Sequence, residues 1–203
     1  MNIRKKIKTI LSKSFFTNYM YWELKEEGNK VAITFDDGPT EYTGQILEIL
    51  RKEETKATFF VLSESIKKYP HEFKNILSEG HKIGIHGSNH EKGNLINQVK
   101  ECKKILDSLD CSSTLVRPPY GYITFFQFIW CLINGYKIIM WSFDVHDSMR
   151  LEGKIDKDPD YGKVKSGDII LMHDDNVLCV KELKKLISVI KRNNLTAIKL
   201  DEN

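Results

Sequence analysis

From Lys30 onward the chain alternates short apolar or β-branched runs with stretches whose apolar residues recur at helical spacing. Val31–Phe35, Thr58–Leu62, Lys82–His86, Leu115–Arg117, Lys137–Trp141, Asp168–Met172 and Ala197–Leu200 read as strands, each short and rich in Val, Ile, Phe or Leu. Between them Thr43–Glu53 sets Ile46, Leu47, Ile49 and Leu50 on one helical face, and His71–Glu79 starts after Pro70 and stops at Gly80. Asn94–Leu109 and Val180–Arg192 are strongly periodic helices. This alternation specifies an α/β domain with a mostly parallel sheet, because parallel neighbours need crossover helices rather than hairpins. No repeat or linker interrupts it. An open doubly wound sheet and a closed or partly closed (β/α) barrel both satisfy the pattern.

The polar residues fall at the C-terminal ends of the predicted strands. Asp36 and Asp37 follow the first, His86 and His90 the third, Arg117 the fourth, Asp144 and Asp147 the fifth, and His173 the sixth. Strand C-termini share one edge of a parallel sheet, so side chains scattered along the sequence converge there on a single site.

Composition narrows the picture further. A domain of 203 residues, 41% hydrophobic, buries on the order of 70% of its unfolded surface, so it folds without disulfides or a structural metal. Any metal is therefore expected to be catalytic. A net charge of +3 is too near balance for a nucleic-acid footprint. Cys102, Cys111, Cys131 and Cys179 form no paired motif and read as plain buried thiols. The basic N-terminus is no clean export signal, because Lys8, Ser12, Lys13 and Ser14 break its apolar stretch. No apolar run reaches the ~18 residues of a membrane span. Ile3, Ile7, Ile10, Leu11 and Phe15 at helical spacing, among Arg4, Lys5, Lys6, Lys8 and Lys13, make a short basic amphipathic helix. Such a helix either covers the end of the domain or lies on an anionic membrane. Residues 1–22 are accordingly set apart from a domain spanning 23–203.

One carboxylate and two imidazoles, Asp37, His86 and His90, form a ligand set for a catalytic divalent ion with positions left open. Taken alone, the His-x-x-x-His spacing also suits surface histidines; Gly87, Ser88 and Asn89 between them favour a loop over a helix. Asp36 and Asp37 precede Gly38-Pro39, and a strand exit sends successive side chains in different directions. One aspartate can then bind metal while the other accepts a proton from water. An Asp-Gly-Pro turn with solvated carboxylates is the plain alternative.

In order along the chain, Thr34–Pro39, His86–His90, Arg117-Pro118-Pro119-Tyr120-Gly121, Trp141–Asp147 and Leu171-Met172-His173 resemble the five motifs of the polysaccharide deacetylases. These are the carbohydrate esterases of family 4, with a NodB homology domain. The resemblance runs from about Val31 to His173. It implies a distorted, incomplete (β/α) barrel and metal-dependent removal of an acyl group, usually acetyl, from the nitrogen of an amino sugar. Carried over by position, Asp36 matches the general base, Asp37, His86 and His90 the metal ligands, and His173 the general acid. Arg117 matches the arginine that orients the base. The aspartate that steers the acid histidine falls on Asp147 or on Asp144. Tyr120, with Pro119 beside it, matches the position whose backbone N–H helps form the oxyanion site. Leu171 lines the acetyl pocket, and Trp141 is placed with the substrate-binding residues.

Two residues depart from the family pattern. Gly87 stands where Ser or Thr is common, and Ser148 where Trp is common. They bear on sugar specificity, and an aromatic wall is then expected from Tyr120, Trp141 or Trp130, the last of which reads better as core. His71, His81 and His146 read as structural or surface residues. The expected cofactor is a divalent metal, zinc first, with cobalt or nickel also compatible. The expected substrate is an amino-sugar saccharide or lipid-linked glycoconjugate, met in the cytoplasm at the inner membrane face; an exported enzyme is the rival. A deformylase of an aminosugar lipid, and a catalytically weak saccharide-binding protein on the same fold, are the alternatives.

Overall fold

The structure is a computed structural model that describes residues 19–25, 28–91 and 93–200. The amphipathic segment expected at residues 3–15 lies outside the described residues. Nine strands form one sheet: β1 (Met20–Tyr21), β2 (Lys30–Asp36), β3 (Thr58–Leu62), β4 (Lys82–Gly87), β5 (Leu115–Val116), β6 (Lys137–Ile139), β7 (Phe143–Asp144), β8 (Ile169–His173) and β9 (Thr196–Ile198). Their order is β1-β6-β5-β4-β3-β2-β8-β7, with β9 added beside β2, and every ladder is parallel. The helices are α1 (Thr43–Lys52), α2 (Ser63–Lys68), α3 (Pro70–Ser78), α4 (Leu95–Asp107), α5 (Phe125–Ile133), α6 (Asp147–Leu151) and α7 (Val177–Arg192).

The strand expected over Lys137–Trp141 stops at Ile139, and a separate strand follows at Phe143. β6 pairs with β5, the chain bends through Met140–Ser142, and β7 pairs with β8. One length of chain thus reaches from one side of the sheet to the other and curls it into an incomplete barrel. A single antiparallel bridge, Glu23 with Asp168, adds a second tie on that side.

Alternation along the strands separates an inner from an outer face. Val31, Ile33 and Phe35 of β2 join the large core under the helices, with Phe59, Val61, Ile83, Ile85, Val116, Ile138, Ile170 and Met172. The intervening positions Ala32, Phe60, Leu115, Ile139 and Ile169 meet Leu200 in a small second cluster that closes the barrel floor. Gly84 belongs to this interior: a Cβ there would lie 2.4 Å from the Phe60 ring. Continuing by two residues from Ala32, Leu115 and Ile169 toward the C-terminal edge leads to Thr34 and Asp36, to Arg117, and to Leu171 and His173. The period of two therefore delivers these polar side chains to one mouth.

Helix starts follow local chemistry. Asn94 accepts from the N–H of Asn97, Asn176 accepts from that of Cys179, and Thr124 with Gln127 forms a reciprocal capping box. Cys102, Cys131 and Cys179 are buried and Cys111 is partly so, all as free thiols. No helix among the described residues is long and apolar enough to cross a membrane.

Candidate active site

Arg117 is the keystone of the mouth. It is wholly buried, its guanidinium lies 4.2 Å over the Phe60 ring, and its donors are used. Nη1 donates to Asp36 Oδ1 at 2.8 Å and to Thr34 Oγ1 at 2.7 Å, Nε to the Ile139 carbonyl at 3.2 Å, and Nη2 to the Met140 carbonyl at 3.0 Å. The last two carbonyls sit where β6 ends and the chain bends, so the same side chain fixes the bend and orients the carboxylate. The planar fork of arginine suits this; a lysine ammonium could not span these acceptors. Thr34, whose hydroxyl passes its own proton to the Ile170 carbonyl at 2.6 Å, is a member of the site that strand patterning hides.

Asp37 leaves β2 with φ of 72°, a left-handed conformation that aspartate tolerates better than most residues. The twist sends its carboxylate away from that of Asp36 and toward the histidines. Asp37 Oδ1 lies 3.3 Å from His86 Nε2 and 3.6 Å from His90 Nε2. His86 lies in β4, one residue before its end, and its Nδ1 is 2.8 Å from the Arg117 carbonyl. Nδ1 therefore carries a proton, and Nε2 is the ring nitrogen turned toward Asp37.

Both Asp37 Oδ1 and His86 Nε2 are buried atoms without a hydrogen-bond partner, a costly arrangement unless a cation joins them. Asp37, His86 and His90 bring their ligand atoms within 4.8 Å of one another. These residues fit a divalent ion with an open coordination position. Burial acts to raise the Asp37 carboxyl, but the imidazoles of His86 and His90 outweigh it and bring it down to about 2. Burial also lowers His90 below the ordinary histidine range, which keeps it a neutral ligand.

Across the mouth, His173 Nδ1 lies 2.8 Å from Asp147 Oδ1, and the His173 N–H donates to Asp147 Oδ2 at 2.9 Å. Asp147 is fully buried at the start of α6. Burial disfavours the imidazolium, yet the bond and charge of Asp147, with the charges of Asp36 and Asp37, raise His173 to about 10. Asp144 faces elsewhere: it accepts from the His146 N–H at 2.7 Å and pairs with the His146 ring at 3.2 Å. Of the two aspartates considered from sequence, Asp147 is the partner of His173.

Beyond Arg117 the chain turns sharply. Pro118 and Pro119 have no N–H, so Tyr120 supplies the first amide proton after Arg117, and its φ of 58° turns the chain there. The Tyr120 ring lies 4.3 Å from that of His90. Gly121 permits close approach of the half-buried Trp141, whose ring carbon would be 2.8 Å from a Cβ at that position. Leu171 is buried on β8. Trp130 stacks on Tyr136 and packs against the core, whereas Phe125 and Phe126 of the same helix are 60% and 81% exposed. With Tyr120 and Tyr122, also exposed, they make the aromatic surface near the mouth. His71 is exposed, and His81 is a buried neutral residue that accepts from the Ala57 N–H at 3.2 Å.

Asp174 was missed by the sequence reading. Its N–H donates to the Asp36 carbonyl at 2.8 Å, Thr43 donates to its Oδ2 at 2.7 Å, and Thr40 donates to its carbonyl. Burial pushes its carboxyl well above the usual range. It pins the turn that positions Asp37, and a Cβ at Gly38 would strike its carboxylate at 2.2 Å. Only the unbroken Asp-Gly after the first strand hinted at such a close approach.

Comparison with known proteins agrees with this geometry. The polysaccharide deacetylase family model matches residues 23–125. A peptidoglycan-N-acetylglucosamine deacetylase of Bacillus cereus is 33% identical over 198 residues, covering 92% of this chain and 93% of that protein. The peptidoglycan-N-acetylglucosamine deacetylase PgdA of Listeria monocytogenes is 34% identical over 188 residues, or 88% of this chain, of which it spans 40% of the relative's length. The crystal structure of the Bc1960 peptidoglycan N-acetylglucosamine deacetylase, in complex with a naphthalenyl N-hydroxybenzamide, superposes with a TM-score of 0.79 at 30% identity, covering 92% of this chain and 94% of the other. With its distorted barrel and its Asp37, His86 and His90 cluster at the strand ends, the chain belongs to the polysaccharide deacetylase family of carbohydrate N-deacetylases.

Proposed function

We propose that this protein hydrolyses the acetamide of N-acetylated amino sugars in a peptidoglycan-type glycan, with zinc held by Asp37, His86 and His90. The observation that carries the reading is the arrangement of Asp36 and His173 beside this cluster, each tied to a buried partner of opposite charge. The relatives named for peptidoglycan support the substrate class. A divalent ion bound there supplies Lewis acidity to the amide carbonyl and to the attacking water.

The protein's own groups do the rest. Asp36 Oδ1 is engaged by Arg117, while Oδ2, 3.9 Å from His86 Nε2, faces the cluster and accepts the proton of the attacking water. The Tyr120 N–H supports the carbonyl oxygen as it gains charge, a contact type worth ~3 kcal/mol in other acyl-transfer enzymes. The amine leaves only if protonated, and His173 supplies that proton from Nε2, since Nδ1 is held by Asp147. Leu171 offers an apolar wall for the acetyl methyl, and the exposed rings of Tyr120 and Tyr122 offer stacking faces for a sugar.

The N-terminal basic segment would bring the site to an anionic membrane face, where lipid-linked glycans are handled. Zinc-loaded protein assayed for acetate and free amine against polymeric peptidoglycan, chitooligosaccharides and lipid-linked precursor tests the reading. Release from at least one of these is expected; no release from any of them overturns it.

A further inference from the structure

Gly87 follows the first histidine of the cluster with φ of 138°, and a Cβ built there would lie 2.5 Å from Gln98 Oε1 and 3.4 Å from Gln98 Cβ. The space that a Ser or Thr side chain would fill is thus taken by a glutamine arriving from α4. Gln98 is 9% exposed, and its Nε2 donates to the Glu91 carbonyl at 2.9 Å. That carbonyl belongs to the residue directly after His90. One side chain therefore packs on the backbone beside one histidine ligand and hydrogen-bonds the backbone beside the other.

The loop between β4 and α4 has few other fastenings among the described residues. Glu64 N–H donates to the Ser88 carbonyl at 3.1 Å, and Gln127 Nε2 donates to the Gly93 carbonyl at 2.9 Å. At His90 itself the Tyr120 ring lies 4.3 Å from the imidazole, and the Glu91 N–H donates to Asn89 Oδ1 at 3.3 Å within the loop, so Gln98 is the side chain that ties this stretch to α4. Gln98 Oε1 is buried without a hydrogen-bond partner, which costs free energy and is not what a purely structural glutamine would choose.

We infer that Gln98 is a positioning residue for the metal loop. It replaces the missing side chain at position 87 and holds the Glu91 carbonyl, so that His90 Nε2 faces Asp37 and His86. The pair Gly87 and Gln98 is then one device: glycine is required because glutamine occupies its side-chain space, and glutamine is required because glycine brings no hydroxyl to tie the loop. This rests on the reading of Asp37, His86 and His90 as a cation site.

The test is zinc affinity of the full chain, measured by competition with a chromophoric chelator, for wild type, Gln98→Met and Gln98→Ala. Methionine keeps most of the volume and loses only the donor, so the thermal midpoint of the metal-free Gln98→Met protein controls for folding. Loss of an outer support of a metal ligand typically weakens binding about 10–100-fold. That loss is expected in both variants, with the metal-free midpoint of Gln98→Met held near wild type. Zinc affinity within about twofold of wild type in Gln98→Met overturns the inference, whereas failure of the wild type itself to bind zinc overturns the cation-site reading beneath it.

A double-mutant cycle checks the steric half. Gly87→Ala carries the same backbone strain in either background, so a smaller stability loss in Gln98→Ala than in wild type isolates the clash. Equal losses in the two backgrounds would refute that half.

Discussion

Replacing Arg117 by methionine removes the one group that links Asp36, Thr34 and the bend at Ile139 and Met140. The substitution keeps an apolar stem over Phe60 but takes from Asp36, itself 3% exposed, its guanidinium partner. Breaking a buried ion pair from one side costs about 3–5 kcal/mol, a fifth or more of the roughly 5–15 kcal/mol that holds a typical domain together. For a domain of this length about 1 kcal/mol moves the thermal midpoint by roughly 2–4 °C, so a fall of about 6–20 °C is expected. Without the guanidinium nothing fixes Asp36 Oδ1, so Oδ2 is no longer held toward the cluster to accept a proton from water. Acetate release should therefore fall by about 10²–10⁴-fold, the usual contribution of a general base. Arg117→Lys keeps the charge and loses the fork, so it should recover part of the stability while leaving the bend carbonyls underused. Calorimetry and a coupled acetate assay on the three proteins check this. A midpoint shift below about 2 °C in Arg117→Met, with turnover unchanged, would refute the reasoning.

Three further outcomes follow from the same geometry. His173, raised to about 10 from 6.5, contributes stability that is fully present below pH 6.5 and lost as pH rises through about 10. Asp147→Asn should therefore show its largest unfolding deficit below pH 6.5, with the gap closing toward pH 10, and should move the alkaline limb of kcat/KM to lower pH; a limb that stays in place would contradict the assignment. His86→Ala should lose the metal. Zinc at about 100 times its Kd stabilises the wild type by about 2.7 kcal/mol, and that increment should vanish in the variant's thermal melts. Gly84→Ala places a Cβ 2.4 Å from the Phe60 ring and should destabilise by about 1–3 kcal/mol through overpacking. An unaltered denaturation midpoint would argue against an interior filled by Phe60.

Much of the site was legible because a parallel sheet gathers strand C-termini at one edge. Once β2, β4, β5 and β8 were recognised by their apolar runs, Asp36, His86, Arg117 and His173 had to converge. What the chain did not reveal depends on partners distant in sequence. Lys137–Trp141 reads as one strand because its apolar content is continuous, but barrel closure demands a change of neighbour at Met140. Sequence position places the partner of His173 on Asp147 with Asp144 as the alternative, and the capture of Asp144 by His146 separates them. Phe125 and Phe126 are exposed on the helix that packs Trp130, since hydropathy cannot say which flank of a helix is covered. Asp174 resembles a solvated carboxylate at a strand exit until Thr40 and Thr43 are brought to it.

The central claim is that Asp36 takes the proton from water while Asp37, His86 and His90 hold the metal, two roles for adjacent carboxylates. Its most direct measurement is acetate release together with metal content for wild type and Asp36→Asn prepared side by side. The account predicts that both proteins retain a metal ion and that turnover in Asp36→Asn falls by at least about 10²-fold. Metal retained with turnover equal to wild type would contradict it.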